Sequence, residues 1–98
     1  MLVLSRSVRE CVVINDNIFV EVTDLDDDKV YVTFYGATAG NAVLAVGESV
    51  QIQDAIEVKL ISLRPSNKAR IGFEAPTEMP IHRKETWDAI RQENNREP

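Results

Sequence analysis

Residues Val46–Pro76 read VGESVQIQDAIEVKLISLRPSNKARIGFEAP, and laid over Val8–Thr38, VRECVVINDNIFVEVTDLDDDKVYVTFYGAT, they repeat one pattern. With Val46 set on Val8, Glu48 falls on Glu10, Val50 on Val12, Ile52 on Ile14, Asp54 on Asp16, Ile56 on Ile18 and Val58 on Val20. Every matched position is even-numbered. Successive side chains of an extended chain point to opposite faces, so agreement with period two means that one face is kept while the other diverges. Leu25 on Leu63 and Ala37 on Ala75 lengthen the match. Self-similarity on this scale marks a repeated supersecondary unit, and two copies specify a pseudo-symmetric pair rather than a solenoid. The phase of Val30–Tyr35 stays open: one alignment sets Tyr35 on Phe73, and a slip of one sets Phe34 there, which exchanges the two faces.

Around the repeat, Met1–Ser7 alternates and reads as a first strand, and Cys11–Ile14 and Ile18–Val22 form a hairpin about the turn residues Asn15, Asp16 and Asn17. Asp24–Asp28 holds four aspartates but lacks the ligand order, sixth-position Gly and twelfth-position Glu of a calcium loop, so it reads as a solvated turn before a fourth strand, Lys29–Tyr35. After Gly36–Gly40, Asn41–Val46 reads as a short strand; Ser49–Ile52, Ile56–Ile61 and Ala69–Phe73 then repeat the second to fourth strands, with Arg64–Asn67 as the intervening turn. Met79–His82 reads as a last strand restricted by Pro80, and Lys84–Asn94 as a helix with Trp87 and Ile90 on one face, ahead of a frayed tail at Asn95–Pro98. The domain reading is thus one unit over residues 1–98 with repeats at 8–38 and 46–76, first strand 1–7, last strand 79–82 and helix 84–94.

A chain of 98 residues supports a modest core rather than a deep catalytic cavity. The net charge of −5 argues against a polyanion partner, yet residues 1–49 carry three Lys/Arg against eight Asp/Glu, whereas residues 50–98 carry eight of each. Any nucleic-acid contact must therefore use a local cluster. One His and one Cys, with no glycine-rich phosphate loop and no metal-ligand spacing, argue against an enzyme and against a metal or other cofactor. Cys11 alone forms no internal disulfide, and no apolar run is long enough to span a membrane, so a cytoplasmic protein is expected. Cys11 reads as a small strand residue, His82 as a strand residue and Trp87 as packing of helix on sheet.

The opening MLVLSRSVRE followed by VVIND, the segment NKARIGFEAP (Asn67–Pro76) and IHRKE (Ile81–Glu85) together resemble the carbon storage regulator (CsrA/RsmA) family. The resemblance implies a mainly β fold of interlocked antiparallel sheets, a barrel-like sandwich with one C-terminal helix, in which the first strand of one protomer lies beside the last strand of the other. It also implies binding of single-stranded GGA in loops of messenger leaders or small RNAs, repression of translation, and a protein antagonist as a further partner. Carried over by position, the RNA-binding candidates are Leu4, Ser5 and Arg6, then Ala75 and Pro76, then Ile81, His82 and Arg83. Ser7, Arg9 and Thr86 depart from the family pattern, and Ser7 removes a positive charge from the binding face.

The joint Ala39–Ala45 spans at most about 25 Å and cannot hold a last strand, a helix and a new first strand. The chain is therefore expected to be a monomeric, single-chain imitation of the family dimer, with one RNA site made by Met1–Ser7 and Met79–Arg83 as neighbouring strands. A homodimer made by exchange of end strands is the alternative assembly. A degenerate member docking on another protein is the alternative function, set apart by its weak salt dependence.

Overall fold

The computed structural model describes residues 1–64 and 68–95. Its elements in chain order are β1 (Leu2–Arg6), β2 (Cys11–Ile14), β3 (Ile18–Leu25), β4 (Lys29–Gly36), β5 (Gly40–Ala45), β6 (Ser49–Gln53), β7 (Ile56–Arg64), β8 (Lys68–Glu74), β9 (Ile81–Arg83) and α1 (Lys84–Asn95). The strands form two sheets, ordered β1-β8-β7-β6 and β5-β4-β3-β2-β9, with antiparallel neighbours throughout. Pro65–Asn67 of the expected second turn and residues 96–98 of the expected tail lie outside the described residues.

The two copies share most of their geometry, although the second hairpin has a register shift between Gln51 and Gln53 that the first lacks. In the first, Val12 faces Val20 and Val20 faces Phe34; in the second, Val50 faces Val58 and Val58 faces Phe73. Both long strands carry a register shift at the matching place, between Val22 and Asp24 and between Leu60 and Ser62. A bulge twists and bends its strand, so its presence in both copies gives both sheets the same curvature. The turn entering each copy is also repeated bond for bond. Arg9 N donates to Val22 O and Val22 N to Glu10 O, as Gly47 N donates to Leu60 O and Leu60 N to Glu48 O. The Glu10 carboxylate accepts from Ser7 N at 2.7 Å and that of Glu48 from Ala45 N at 2.9 Å.

The kept face is the core. Val12, Ile14, Ile18, Val20 and Val22 from one copy and Ile56, Val58 and Leu60 from the other are buried between the sheets, each contributing about 1.5–3 kcal/mol. Val30, Val32 and Phe34 are buried with Ala69, Ile71 and Phe73, so Phe34 is the counterpart of Phe73. The phase changes because four residues separate the paired Leu25 and Val30, whereas five separate Leu63 and Ala69. The aspartate turn is exposed, with Asp26 N bonded to Lys29 O and the Tyr31 hydroxyl donating to Asp26 at 2.7 Å.

The end strands depart from expectation. β1 pairs with β8 and β9 with β2, so the first and last strands are edges of different sheets rather than hydrogen-bonded neighbours. The joint is itself a strand: β5 pairs with β4 as β1 pairs with β8, and thus takes the first-strand place of the second copy. Its counterpart to β9 is missing, since no described residue pairs with the far edge of β6. β9 begins at Ile81 rather than Met79, because Met79 N is taken by Pro76 O in a turn, although Pro80 O still accepts from Asn15 N.

The outward faces explain where the helix goes. Val13, Phe19 and Tyr35 lie side by side on the first sheet, and Phe19 stacks on Tyr35 at 5.0 Å. Helix α1 packs over β2 and β9, and Trp87 meets Phe19 edge-on at 5.6 Å while its indole N–H donates to Asp16. In the second copy the same row is Gln51, Glu57 and Glu74, which offers a helix nothing apolar. The expected stripe reduces to Trp87, because Ile90 is exposed.

Candidate nucleic-acid interface

Four of the five donors of Arg6 are used inside the protein. Nε donates to Ser5 O at 2.9 Å, Nη1 to Cys11 O at 3.2 Å and to Glu85 Oε1 at 3.0 Å, and Nη2 to Glu85 Oε2 at 2.9 Å. The side chain is 5% exposed, and Glu10 stands a further 3.7 Å away. Arg6 thus clamps the end of β1 to the start of β2 and to the first turn of α1. A bidentate pair of this kind holds both charges in place. The bonded guanidinium pulls the Glu85 carboxyl down to about 2, and the bonded carboxylate raises Arg6 above its ordinary value.

That clamp brings the two ends of the chain together although they share no sheet. Cys11, whose carbonyl accepts from Arg6, precedes Val12, which pairs with Arg83. At the opposite end Leu2 faces Phe73, the terminal ammonium lies 3.6 Å from Glu74, and Ala75–Pro76 leads through the Met79 turn into β9. β1 and β9 are thus edge strands of different sheets, linked at one end by the Arg6–Glu85 pair and at the other by the Ala75–Pro76 segment that joins β8 to β9, and these links define one rim of the molecule.

The sequence-derived candidates fall unequally on this rim. Leu4 points inward and is buried opposite Ile71; Ser5 points outward opposite Arg70. Ala75 and Ile81 pack against the core, and Pro76 and His82 are half-buried. His82 lies across from Val13, and Arg83 is exposed. Arg6 is consumed inside the protein, whereas Arg83 forms no ion pair with another described residue, and neither does Arg70, which sequence reasoning missed. Its signal was there: in Lys68-Ala69-Arg70 the basic residues alternate, placing both on the face away from the core.

Burial pushes the Cys11 thiol up, with Sγ 3.8 Å from the Tyr35 hydroxyl, whose own value is raised to about 12 by desolvation and by that contact. Among the described residues no cluster of His, Cys, Asp and Glu is arranged to hold a metal ion, and no helix is long and apolar enough to cross a membrane.

The comparisons agree with this arrangement of repeats. The chain is 43% identical over 47 residues to a translational regulator CsrA from Rhodopirellula baltica, covering 48% of this chain and 66% of that protein. It is 45% identical over 51 residues to one from Bacillus velezensis and 41% over 51 residues to one from Bacillus subtilis, each match covering 52% of this chain and 68% of the relative. No solved structure matches it. The family model described as the global regulator protein family matches in two segments, residues 1–35 and 45–92, which fall on the two copies. The chain belongs to the CsrA family.

Proposed function

We propose that the chain binds single-stranded RNA bearing GGA in a loop, at one site along the β1–β9 rim, and that it represses translation by covering messenger leaders. The observation that carries this reading is the convergence of Leu4–Arg6, Ala75–Pro76 and Ile81–Arg83 on one rim of a CsrA-family chain. The relatives named translational regulators support the regulatory part. Unstacked loop bases are read on their edges by backbone groups, with Arg supplying paired donors to guanine or a single contact to phosphate. Arg83 and Arg70 are the cations placed for this, while Arg6 holds the rim together.

The opposite rim supports no second site. There Val43 and Leu44 replace Ser5 and Arg6 on β5, and no described strand replaces β9. Titrating a GGA stem-loop into protein of measured mass is expected to saturate at one RNA per chain, with affinity that falls steeply as salt rises. Arg83→Ala is expected to weaken binding by about 1–3 kcal/mol if it contacts a base and less if it touches only phosphate. Two equivalent RNA molecules per chain, or equal affinity for a scrambled loop, would refute the reading.

A further inference from the structure

We propose that the groove between β6 and the Thr38–Asn41 corner is a docking seat for an extended segment of a partner protein, one that carries an aliphatic anchor followed by basic residues. The groove has a volume of about 190 Å³ and is lined by Phe34, Val50 and Ile52 together with the polar Thr38, Asn41 and Gln51. The first copy shows what such a place holds. There the matching residues are Phe73, Val12 and Ile14, with Ile81 opposite Ile14 and with Met79 and Ile81 packed against the core. Under that cover Phe73, Val12 and Ile14 are at most 1% exposed. In the second copy the chain turns into β5 soon after Thr38, so nothing among the described residues takes the place of Met79 and Ile81. Val50 and Ile52 are left half-buried.

The segment does not bind by extending the sheet. Ile52 is the extra residue of a bulge between Gln51 and Gln53, and its carbonyl already accepts from Thr38 Oγ1 at 3.1 Å. The anchor therefore enters by its side chain, in a groove with room for one the size of Met79 or Ile81. A second copy of this chain is a poor occupant. Its own segment of that form, Met79–Arg83, is seated on β2, and moving it to another molecule uncovers Val12 and Ile14 in order to cover Val50 and Ile52. The charge beside the groove defines the rest of the occupant. In the first copy the chain leaving Ile81 continues as α1 over the outward row of Val13, Phe19 and Tyr35. A segment leaving the second seat on the same course meets Gln51, Glu57 and Glu74. Those carboxylates favour Lys and Arg and repel nucleic acid, which sets the choice of partner more than the strength of binding. One anchor and a few exposed charges make a small contact, so micromolar rather than nanomolar affinity is expected. β5 and β6 are the edges opposite β9 and β1, so the seat is separate from the proposed RNA site and does not depend on it.

The probe is a fluorescein-labelled peptide, Met-Pro-Ile-His-Arg-Lys, the sequence of residues 79–84, which as a free peptide has no seat to vacate. Anisotropy during titration with the full chain is expected to saturate. Serine in place of the peptide's Met and Ile should abolish binding, as should Ala39→Leu, which fills the groove from its own exposed wall. Glu57→Lys combined with Glu74→Lys should weaken it about fivefold or more. An unlabelled GGA stem-loop should not displace the peptide. Absence of saturable binding up to about 1 mM overturns the proposal. Binding that survives Ala39→Leu overturns it too, because the peptide is then exchanging with β9 on β2, and displacement by the stem-loop places the peptide on the RNA site instead. Sedimentation of the free chain completes the test: a dimer that the peptide dissociates makes a second copy the occupant and overturns the choice of a foreign partner.

Discussion

Arg6 occupies the position that Leu44 holds in the second copy, and both residues are buried to the same depth, 4% exposed. The second copy thus shows that the site accepts a hydrocarbon. Either Arg6→Leu or Arg6→Ala leaves the Cys11 carbonyl and Glu85 without their donor, but only Ala also leaves a void. Arg6→Leu is therefore expected to lose about 1–2 kcal/mol in urea denaturation, and Arg6→Ala about 2–4 kcal/mol. Glu85 gives the pair a pH signature. Its carboxyl titrates at about 2 when folded, against about 4.3 in an unfolded chain. The pair therefore contributes fully above the unfolded value, and the contribution disappears as pH falls from there toward 2. Because Glu85 is 61% exposed, solvent screening limits the effect to about 0.2–1 kcal/mol. Melting temperatures of the parent and Glu85→Gln, measured from pH 6 to pH 2, should converge across that window; a constant difference would show that Glu85 is held by something other than its charge. A second internal comparison concerns backbone strain. Arg9 has φ of 75° and its counterpart Gly47 has φ of 90°. A side chain at such a φ costs roughly 1–2 kcal/mol, partly offset by the greater unfolded-state freedom of glycine. Arg9→Gly is accordingly expected to stabilise the fold by about 0.5–1 kcal/mol and Gly47→Ala to destabilise it by about 1 kcal/mol.

At the scale of elements, the divergent faces of the two copies decide which sheet receives the helix. Phe19 against Trp87 is the central contact, and Glu57 is the residue at the Phe19 position of the other copy. Phe19→Glu therefore gives one sheet the surface of the other. Loss of the aromatic contacts should release α1 while the core face persists. The emission of Trp87, the single tryptophan of the chain, should shift to the red and helical ellipticity should fall, with the strand signal retained. Unchanged emission would mean that the helix is held by the Arg6–Glu85 clamp instead. The same elements mark how far the sequence could be read. The core strands were legible because burial imposes period two on both copies, and the extra residue in the second turn was visible as an unresolved phase. β5 was legible as a strand but not as the stand-in for β1, because register and edge position, not residue likeness, make them equivalent. The three residues of β9 carry no pattern that selects β2 over β1 as partner. Arg6 and Glu85 lie 79 positions apart, so nothing local announces that a residue suited to RNA is consumed by the fold.

Across the whole molecule, the two copies are tied by their end strands rather than simply stacked. One sheet takes β1 from the N-terminus and β6–β8 from the second copy; the other takes β2–β4 from the first copy, β5 from the joint between the copies and β9 from beyond the second. Leu2 meets Phe73 and Val12 meets Arg83, so the pairings that close both sheets join residues far apart in sequence. Such contacts form only after most of the chain is ordered, which places folding in the millisecond-to-second range typical of non-local β topologies. Cutting the chain after Ala39 would leave β1 without β8 in one fragment and β5 and β9 without β4 and β2 in the other. Neither fragment can then bury its core face alone, and each is expected to be unfolded by circular dichroism. Mixed together they should recover the native spectrum, because every strand again finds its partner. The joint contributes only effective concentration, so the midpoint of unfolding should rise with protein concentration for the mixed fragments and much less for the intact chain. A fragment that folds cooperatively on its own would show that one copy is self-sufficient, and the interlocking of the two sheets would then be incidental to stability.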